Sequence, residues 1–380
     1  MGSTRLGLSF FFALAPLAVV WLSQAAAPLP GDAATARTEV MPVSVLQSIL
    51  LRPATPQYPR NSEGDIALLR DGRLLLVWSR FYGGGADDAA AEIAARVSED
   101  GGLTWGAPFV VQHNDGAFNV MSASLVRGGN GDLLLFFLRK NADDDLKAVV
   151  RRSPDEGETW SAETVVTREP GYHVMNNARV VRLRSGRLLA PVASSLDCSG
   201  REHYRSVCYL SGDDGFTWRR GPGQVDLERR GAMEPGLVEL KDGRVLMIIR
   251  TQLSAIHRSY SSDGGDTWSA PEPSGVAAPE APSTIARIPS TGDLLLVWNN
   301  NADMSAGHSG RRTPLSTAVS RNEGLTWEHV RNLETDPNHT YAYTSVTFFD
   351  ETVILSYYDQ DSSGLGLRVT RAPIRWLYEG

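Results

Sequence analysis

The sequence predicts an all-β chain folded as a six-bladed β-propeller of four-stranded antiparallel blades, and three observations carry that prediction. An octapeptide Ser-x-Asp-x-Gly-x-Thr-Trp occurs at 98–105, 153–160, 211–218 and 261–268, and again at 320–327 with Asn322 in the Asp place. Its tryptophans, Trp105, Trp160, Trp218, Trp268 and Trp327, are 55, 58, 50 and 59 residues apart, the signature of like units stacked on one another. Out of phase with it, a tight turn leading into an apolar run recurs six times, at Asp71-Gly72, Gly131-Asp132, Ser185-Gly186, Asp242-Gly243, Thr291-Gly292 and Asp350-Glu351.

Each element has a physical reason. Strand-like runs flank every one of these turns, as in Ile66–Leu69 before and Leu74–Trp78 after the first, so each unit opens with a hairpin. A third strand then runs into the octapeptide. There Ser and Asp side chains hydrogen-bond nearby backbone amides, Gly supplies a positive φ, and Thr-Trp starts a fourth strand. Four strands make a blade, and radial repetition makes a propeller. The sixth unit lacks an octapeptide, so its outer strands come either from the C-terminal 367–370 and 374–377 or from the N-terminal stretch near 43–51, which would also protect the open sheet edges. The expected organisation is a signal peptide over 1–27, an N-terminal segment over 28–50 that completes a blade in the second alternative, and the propeller over 51–380.

Composition sets the surroundings. The chain is 42% apolar with 36 Gly; its 37 basic residues include only three lysines, at 140, 147 and 241, which leaves 34 arginines. A formal charge of −7 argues against nucleic acid as a partner. Arg5, the apolar run Leu6–Leu22 and Ala25-Ala26-Ala27 read as a secretory signal, with an uncleaved anchor as the alternative. The expected location is therefore secreted or periplasmic, as a monomer without membrane insertion after cleavage. In that setting Cys198 and Cys208 are expected to form one disulfide. No residue cluster has the spacing of a zinc or calcium site, and phosphate-binding and serine-nucleophile motifs are absent, so no cofactor is expected.

In a propeller, residues just before each first strand and just after each second strand crowd one mouth of the central channel. Here these are Glu63, Ser122, Asn176, Asn177, Arg179, Glu234, Ser283 and Tyr343, with Arg80, Arg139, Lys140, Ser194, Arg250, Asn299, Asn300 and Asp359. Cations gathered on one rim of a negative protein suit a small anionic ligand, and arginine can grip a carboxylate through two parallel hydrogen bonds.

The five octapeptides resemble the Asp-box repeats of the sialidase (neuraminidase) superfamily, over nearly the whole chain after the leader. More specific is Gly231-Ala232-Met233-Glu234-Pro235-Gly236, followed by Ile248-Ile249-Arg250. It is similar to the segment in which a Glu polarises the nucleophile and an Arg joins a triad that holds the sugar carboxylate. Tyr341-Ala342-Tyr343-Thr344-Ser345 resembles the nucleophile segment, implying that Tyr343 attacks, and Arg311-Arg312 ahead of Leu315 resembles the segment of a second triad arginine, placed at Arg312. The resemblance implies a glycan substrate ending in a carboxylated sugar. A neutral phenol suits such a substrate, because a carboxylate nucleophile would be repelled by the sugar's own carboxylate; sialidases are the tyrosine exception among glycosidases. The acid that protonates the leaving oxygen would be Asp87 or Asp88, on a loop that Gly83-Gly84-Gly85 frees to close.

Two departures bear on the substrate. Where the family has an arginine that completes the triad, this chain has Glu63, which would repel a carboxylate by a few kcal/mol at an effective dielectric of about 20. Arg80 is the expected compensation, with Arg60 the poorer candidate. Where the family has a Glu that orients that arginine, this chain has Asp359. Two alternatives follow. One is another acidic-sugar hydrolase or a polysaccharide lyase on the same fold, the lyase using His173, Asn176, Asn177 and Arg179 with Tyr343; the other is a non-catalytic glycan-binding propeller that keeps Arg250 and Arg312.

Overall fold

The computed structural model describes residues 45–195, 203–302 and 311–379. The expected signal peptide, residues 28–44 and Cys198 lie outside the described residues.

Every described unit is built from antiparallel strands. The chain runs through β1 (Gln47–Arg52), then β2 (Arg60–Leu68), β3 (Leu74–Phe81), β4 (Ala91–Ser98) and β5 (Phe109–Gln112). Next come β6 (Asn119–Arg127), β7 (Leu133–Ala142), β8 (Asp145–Ser153) and β9 (Thr164–Val165), then β10 (Gly171–Val174), β11 (Val181–Arg182), β12 (Leu188–Ser195), β13 (Arg205–Ser211) and β14 (Arg219–Arg220). Two four-stranded sheets follow, β15 (Met233–Glu239) to β16 (Val245–Arg250), β17 (Ala255–Ser261) and β18 (Glu272–Ala277), and β19 (Thr284–Arg287) to β20 (Leu294–Asn299), β21 (Leu315–Ser320) and β22 (Glu328–Glu334). The last strands are β23 (Thr340–Phe349), β24 (Thr352–Asp361) and β25 (Gly364–Pro373).

Hydrogen bonding joins these strands into four sheets, of eight, nine, four and four strands. Short parallel contacts cause the merging: Arg60 pairs with Leu365 between β2 and β25, and Gly171 and Tyr172 pair with Asp145 and Leu146 between β10 and β8. Both chain ends supply the last unit's outer strands, since β25 lies on β24 and β1 pairs antiparallel with β25. Residues 374–377, one candidate for a strand, belong instead to a 3-10 turn over Ile374–Tyr378 that buries Ile374, Trp376 and Leu377.

The core lies between neighbouring units and follows from strand periodicity. Successive side chains of β3 point to opposite faces. Leu74, Leu76 and Trp78 pack with Ile354, Leu367 and Val369 of the last unit, while Leu75 and Val77 pack with Leu133, Leu135 and Phe137 of the next. All five β3 side chains are buried, each contributing on the order of 2 kcal/mol by leaving water. The same alternation explains why the second strand of each unit reads as a continuous apolar run.

The octapeptides make the expected turn bonds. In the third, Ser211 Oγ donates to Asp213 Oδ1 (2.7 Å), Thr217 N to Oδ1 (2.9 Å) and Thr217 Oγ1 to Oδ2 (2.6 Å). The residue after the Asp does something further. Glu156, Asp214 and Glu323 all adopt positive φ and reach back to the hairpin turn of the preceding unit. Glu156 accepts from Arg70 N (2.9 Å) and from both Arg127 Nη atoms (2.6 and 2.8 Å). Asp214 accepts from Gly129 N and Asn130 N, and Glu323 from Lys241 N and Arg287. The repeat thus carries its own clasp between units.

Removing one clasp is expected to loosen the stack. Glu156→Ala should lower unfolding free energy by about 1–3 kcal/mol, because a backbone amide and a partly buried arginine lose their acceptor, whereas exposed Glu158→Ala should stay within about 0.5 kcal/mol. Equilibrium urea unfolding of the two variants checks this.

Candidate active site

Four first strands share one backbone device. The pairing register slips between Ser62 and Asp65, Met121 and Ser124, Met233 and Gly236, and Ala342 and Ser345. At each slip one non-glycine residue adopts positive φ: Glu63 at 55°, Ser122 at 59°, Glu234 at 40° and Tyr343 at 59°. Such a bulge re-aims a side chain, and all four line one cavity of about 610 Å³. The third unit has Ala178 at φ 53° and so presents only a methyl group there.

At the centre, Tyr343 Oη donates to Glu234 Oε1 (3.3 Å), and Arg250 Nη1 donates to Glu234 Oε2 (2.6 Å). The Arg312 guanidinium lies 5.7 Å from the Tyr343 ring centre and donates to Tyr358 Oη (2.9 Å). Burial pushes the Glu234 carboxyl up, but the charges of Arg250, Arg312 and Arg179 outweigh it and hold the group below its ordinary value. Burial, reinforced by the Glu234 charge, pushes the Tyr343 phenol well above its ordinary range despite Arg312 and Arg250. The pair at neutral pH is therefore a protonated phenol beside an ionised carboxylate, poised for proton transfer from oxygen to oxygen.

Glu63 is buried and fully engaged. It accepts from Ser62 Oγ (2.9 Å), Ser122 Oγ (3.3 Å) and Arg60 Nη2 (3.1 Å). Arg60 stacks over Phe81 and also donates to Asp87 Oδ1 (2.6 Å). The cation beside Glu63 is thus Arg60 and not Arg80. Arg80 lies outside the cavity lining, because its cross-strand neighbour Glu92 captures it at 2.5 Å and Tyr58 covers it.

The two candidate acids are both exposed in one turn; Asp87 lines the cavity and Asp88 does not. Asn119 Nδ2 and Lys140 Nζ donate to the Asp87 carbonyl (2.9 and 3.4 Å), and Asn119 also donates to the Ala89 carbonyl (2.9 Å), so the loop is tied down.

Other expected residues fall elsewhere. Asp359 is buried between His339 Nδ1 (2.5 Å) and Arg368 Nη2 (2.6 Å) and does not line the cavity. His173 is held by Ser194 Oγ and the Glu169 carbonyl (both 2.9 Å) and is likewise absent from the lining, which leaves the lyase set without its base. Asn176 lines the cavity, and Asn177 lies behind it, donating to the Gly64 (2.7 Å) and Tyr343 (3.0 Å) carbonyls, so one side chain ties two of the bulges together. Arg179 is buried beneath the site, donating to Thr284 Oγ1 (3.3 Å), and burial lowers it to about 10. Cys208 is buried and makes no disulfide among the described residues; its expected partner, Cys198, lies outside them.

Sequence reading missed Arg230, Glu280 and Tyr358. Glu280 is fully buried and accepts from Arg230, Arg250 and Gln252. The signal that could have found it is an acid bracketed by prolines, Pro279-Glu280-Ala281-Pro282, just ahead of a first strand. Met121, Leu138, Leu146, Tyr172, Val174 and Met233 add an apolar part to the lining of the cavity.

Repeated antiparallel units around a polar cavity define a propeller-type all-β protein. Residues 72–354 match the family described as BNR repeat-like domain, and the chain belongs to that family within the sialidase superfamily. It is 27% identical over 327 residues to a sialidase of Micromonospora viridifaciens, covering 75% of this chain and 47% of that protein. A Clostridium perfringens sialidase is 26% identical over 234 residues, covering 55% of this chain and 60% of the relative. The chain thus spans about half to three-fifths of these relatives. Among solved structures it is similar to Trypanosoma rangeli sialidase with 2,3-difluorosialic acid, a covalent intermediate (TM-score 0.69, 17% identity, covering 88% of this chain and 60% of that one). It is also similar to a protein of unknown function from Dyadobacter fermentans (TM-score 0.71, 17% identity, covering 87% and 99%).

A buried acid beneath the site generates a pH prediction. Burial raises the Asp65 carboxyl to about 7, against amide donors Leu125 N and Ile66 N and the charge of Arg179, which lower it; its ordinary value is 3.8. The folded state then holds the proton more tightly than the unfolded state, so this group's contribution to stability is full below pH 3.8 and is lost as pH rises to about 7. The slope of unfolding free energy against pH in that window should become less negative in Asp65→Asn than in wild type, whatever the variant's absolute stability; urea unfolding at a series of pH values measures it.

Proposed function

We propose that this protein is a sialidase-like glycoside hydrolase that removes a terminal sialic acid, or a related acidic sugar, from glycans. The observation that carries this reading is the Tyr343–Glu234–Arg250 chain of hydrogen bonds inside the cavity. The curated relatives named sialidase support the chemistry. Six blades fit the strands, taking β2–β5, β6–β9, β10–β14, β15–β18, β19–β22 and β23–β25 with β1 as the units. The reading includes export through the N-terminal leader.

In this mechanism Tyr343 Oη attacks the anomeric carbon while its proton passes to Glu234 and the bond to the leaving oxygen breaks. Asp87 protonates that oxygen. Water then attacks the anomeric carbon, the tyrosyl bond breaks, and the proton held by Glu234 returns to the phenolate, so configuration is retained. Asp87 regains a proton from the attacking water. Arg60 must release Asp87 before that carboxyl can deliver its proton.

Turnover of an aryl α-sialoside by the purified protein tests the reading. Aglycone release is expected, with Tyr343→Phe reduced to background and Glu234→Gln slowed by about 10²–10⁴-fold. Absence of release beside growth of an unsaturated product on uronic-acid oligosaccharides would replace hydrolysis by elimination, and silence on both would leave a binding propeller.

The pH profile provides a second check. Because Glu234 is held below its ordinary 4.5, the acid limb of kcat/KM should lie below that pH, and Arg250→Gln should move it upward by removing the leading stabilising charge.

A further inference from the structure

The cavity has two electrostatically different walls. On one side Arg60 pairs with two carboxylates, Glu63 (3.1 Å) and Asp87 (2.6 Å), and Lys140 Nζ reaches the Asp87 carbonyl (3.4 Å), so the cations of that wall are already matched by its acids. On the other, Arg230, Arg250 and Arg312 surround two carboxylates, Glu234 and Glu280. That wall carries one cation in excess. An anionic ligand entering the cavity gains nothing from the first and is attracted to the second.

Glu280 organises the cationic wall. Its carboxylate pairs with Arg230 and with Arg250 Nη2 (3.4 Å) and accepts from Gln252 Nε2 (2.9 Å), while its carbonyl accepts from Arg312 Nη2 (3.5 Å). Glu280 is fully buried, whereas the Arg230 side chain is 25% exposed. The arginines are thus fixed from behind while Arg230 still faces the cavity. Nε of Arg250 and Nε of Arg312 are buried with no hydrogen-bond partner among the described residues, so only the terminal nitrogens of these two arginines are left to meet a ligand.

Arg230 is also held at its backbone. Tyr204 N donates to the Arg230 carbonyl (2.9 Å), Ala232 N donates to the Tyr204 carbonyl (2.8 Å), and the intervening Gly231 sits at φ 82° with a Cβ position already filled by the Tyr204 carbonyl. Only glycine fits there, and its close approach sets the direction in which Arg230 leaves the chain. The Tyr204 ring lies 5.7 Å from the guanidinium. A pre-positioned guanidinium loses little freedom when it binds a carboxylate.

We infer that Arg230, gathered with Arg250 and Arg312 by Glu280, is a specificity-determining residue that holds the carboxylate of the acidic sugar, and that Glu280 is its positioning residue. The inference rests on the proposed function only in requiring a carboxylated sugar. It places that carboxylate on the Glu280 side of the cavity and leaves the Glu63 wall to accept hydrogen bonds from sugar hydroxyls.

Calorimetric binding of a 2,3-unsaturated sialic acid, its methyl ester and a uronic acid to wild type, Arg230→Ala, Arg230→Lys and Glu280→Gln tests it. Arg230→Ala should weaken binding of the free acid by at least about tenfold, leave the ester's affinity unchanged, and be partly rescued in Arg230→Lys; Glu280→Gln should weaken the acid more than the ester. Equal affinity of wild type and Arg230→Ala for the acid would overturn the inference while leaving the sialidase reading in place. If wild type binds the uronic acid but not the sialic acid analogue, the sialidase reading fails, and Arg230-dependent uronate binding that is weakened by esterification sustains the inference. Binding of none of the acids overturns it. Thermal melting of each variant separates loss of the site from loss of the fold.

Discussion

The left-handed residue inserted into the first strand of four repeats is the constraint on which the rest of the site depends. A non-glycine residue at φ between 40° and 59° costs on the order of 1 kcal/mol, and the chain accepts it at Glu63, Ser122, Glu234 and Tyr343. Flanking strands are paired on both sides of each slip, so the ladder over-determines the bulge. Asn177 adds a direct tie, binding the carbonyls of Gly64 and Tyr343 with one amide. Strain is thereby spread over a rigid scaffold, and the side chains it aims converge without rearrangement.

Convergence creates the electrostatic problem that the other residues answer. Burial pushes the Glu234 carboxyl up, and Arg250, Arg312 and Arg179 reverse the balance. The same cations pull the Tyr343 phenol down, yet burial and Glu234 win, so the phenol keeps its proton. A base and a proton donor in contact, each on the useful side of neutrality, result from one set of charges. Glu63, also buried, pairs with Arg60, three residues away on its own strand.

How much of this was legible in the sequence follows from where each residue lies in the repeat. Glu234, Tyr343 and Arg250 sit at fixed offsets from the periodic turns, and counting along the repeat places them on one rim. The Asp87 loop was legible from its glycines, though not the choice of Asp87 over Asp88, which depends on contacts with Arg60 and Asn119. Arg80 and Arg60 both flank the first hairpin; only cross-strand register reveals that Glu92 takes Arg80. Arg230 and Glu280 are 50 residues apart on connections outside the repeat, and no period links them. The clasp residues Glu156, Asp214 and Glu323 stand at one offset of the octapeptide, yet the backbone amides they accept from belong to the preceding unit, so the motif displays the acceptor and hides what it binds.

The two walls of the cavity give this arrangement its direction. Were Glu63 unopposed, the mouth would lose much of its attraction for an anion; with Arg60 shared between Glu63 and Asp87 and Lys140 beside them, that side is held near neutral, and the positive field concentrates around Glu280. An entering acid would thus meet its cations beside Arg250, the same guanidinium that fixes Glu234 against Tyr343. Ligand charge and nucleophile are then coupled through a single side chain. Under the proposed mechanism, neutralising Arg250 with a bound carboxylate would weaken its hold on Glu234 and make Glu234 a stronger base toward the phenol, so the group that recognises the ligand would also activate the residue that attacks it.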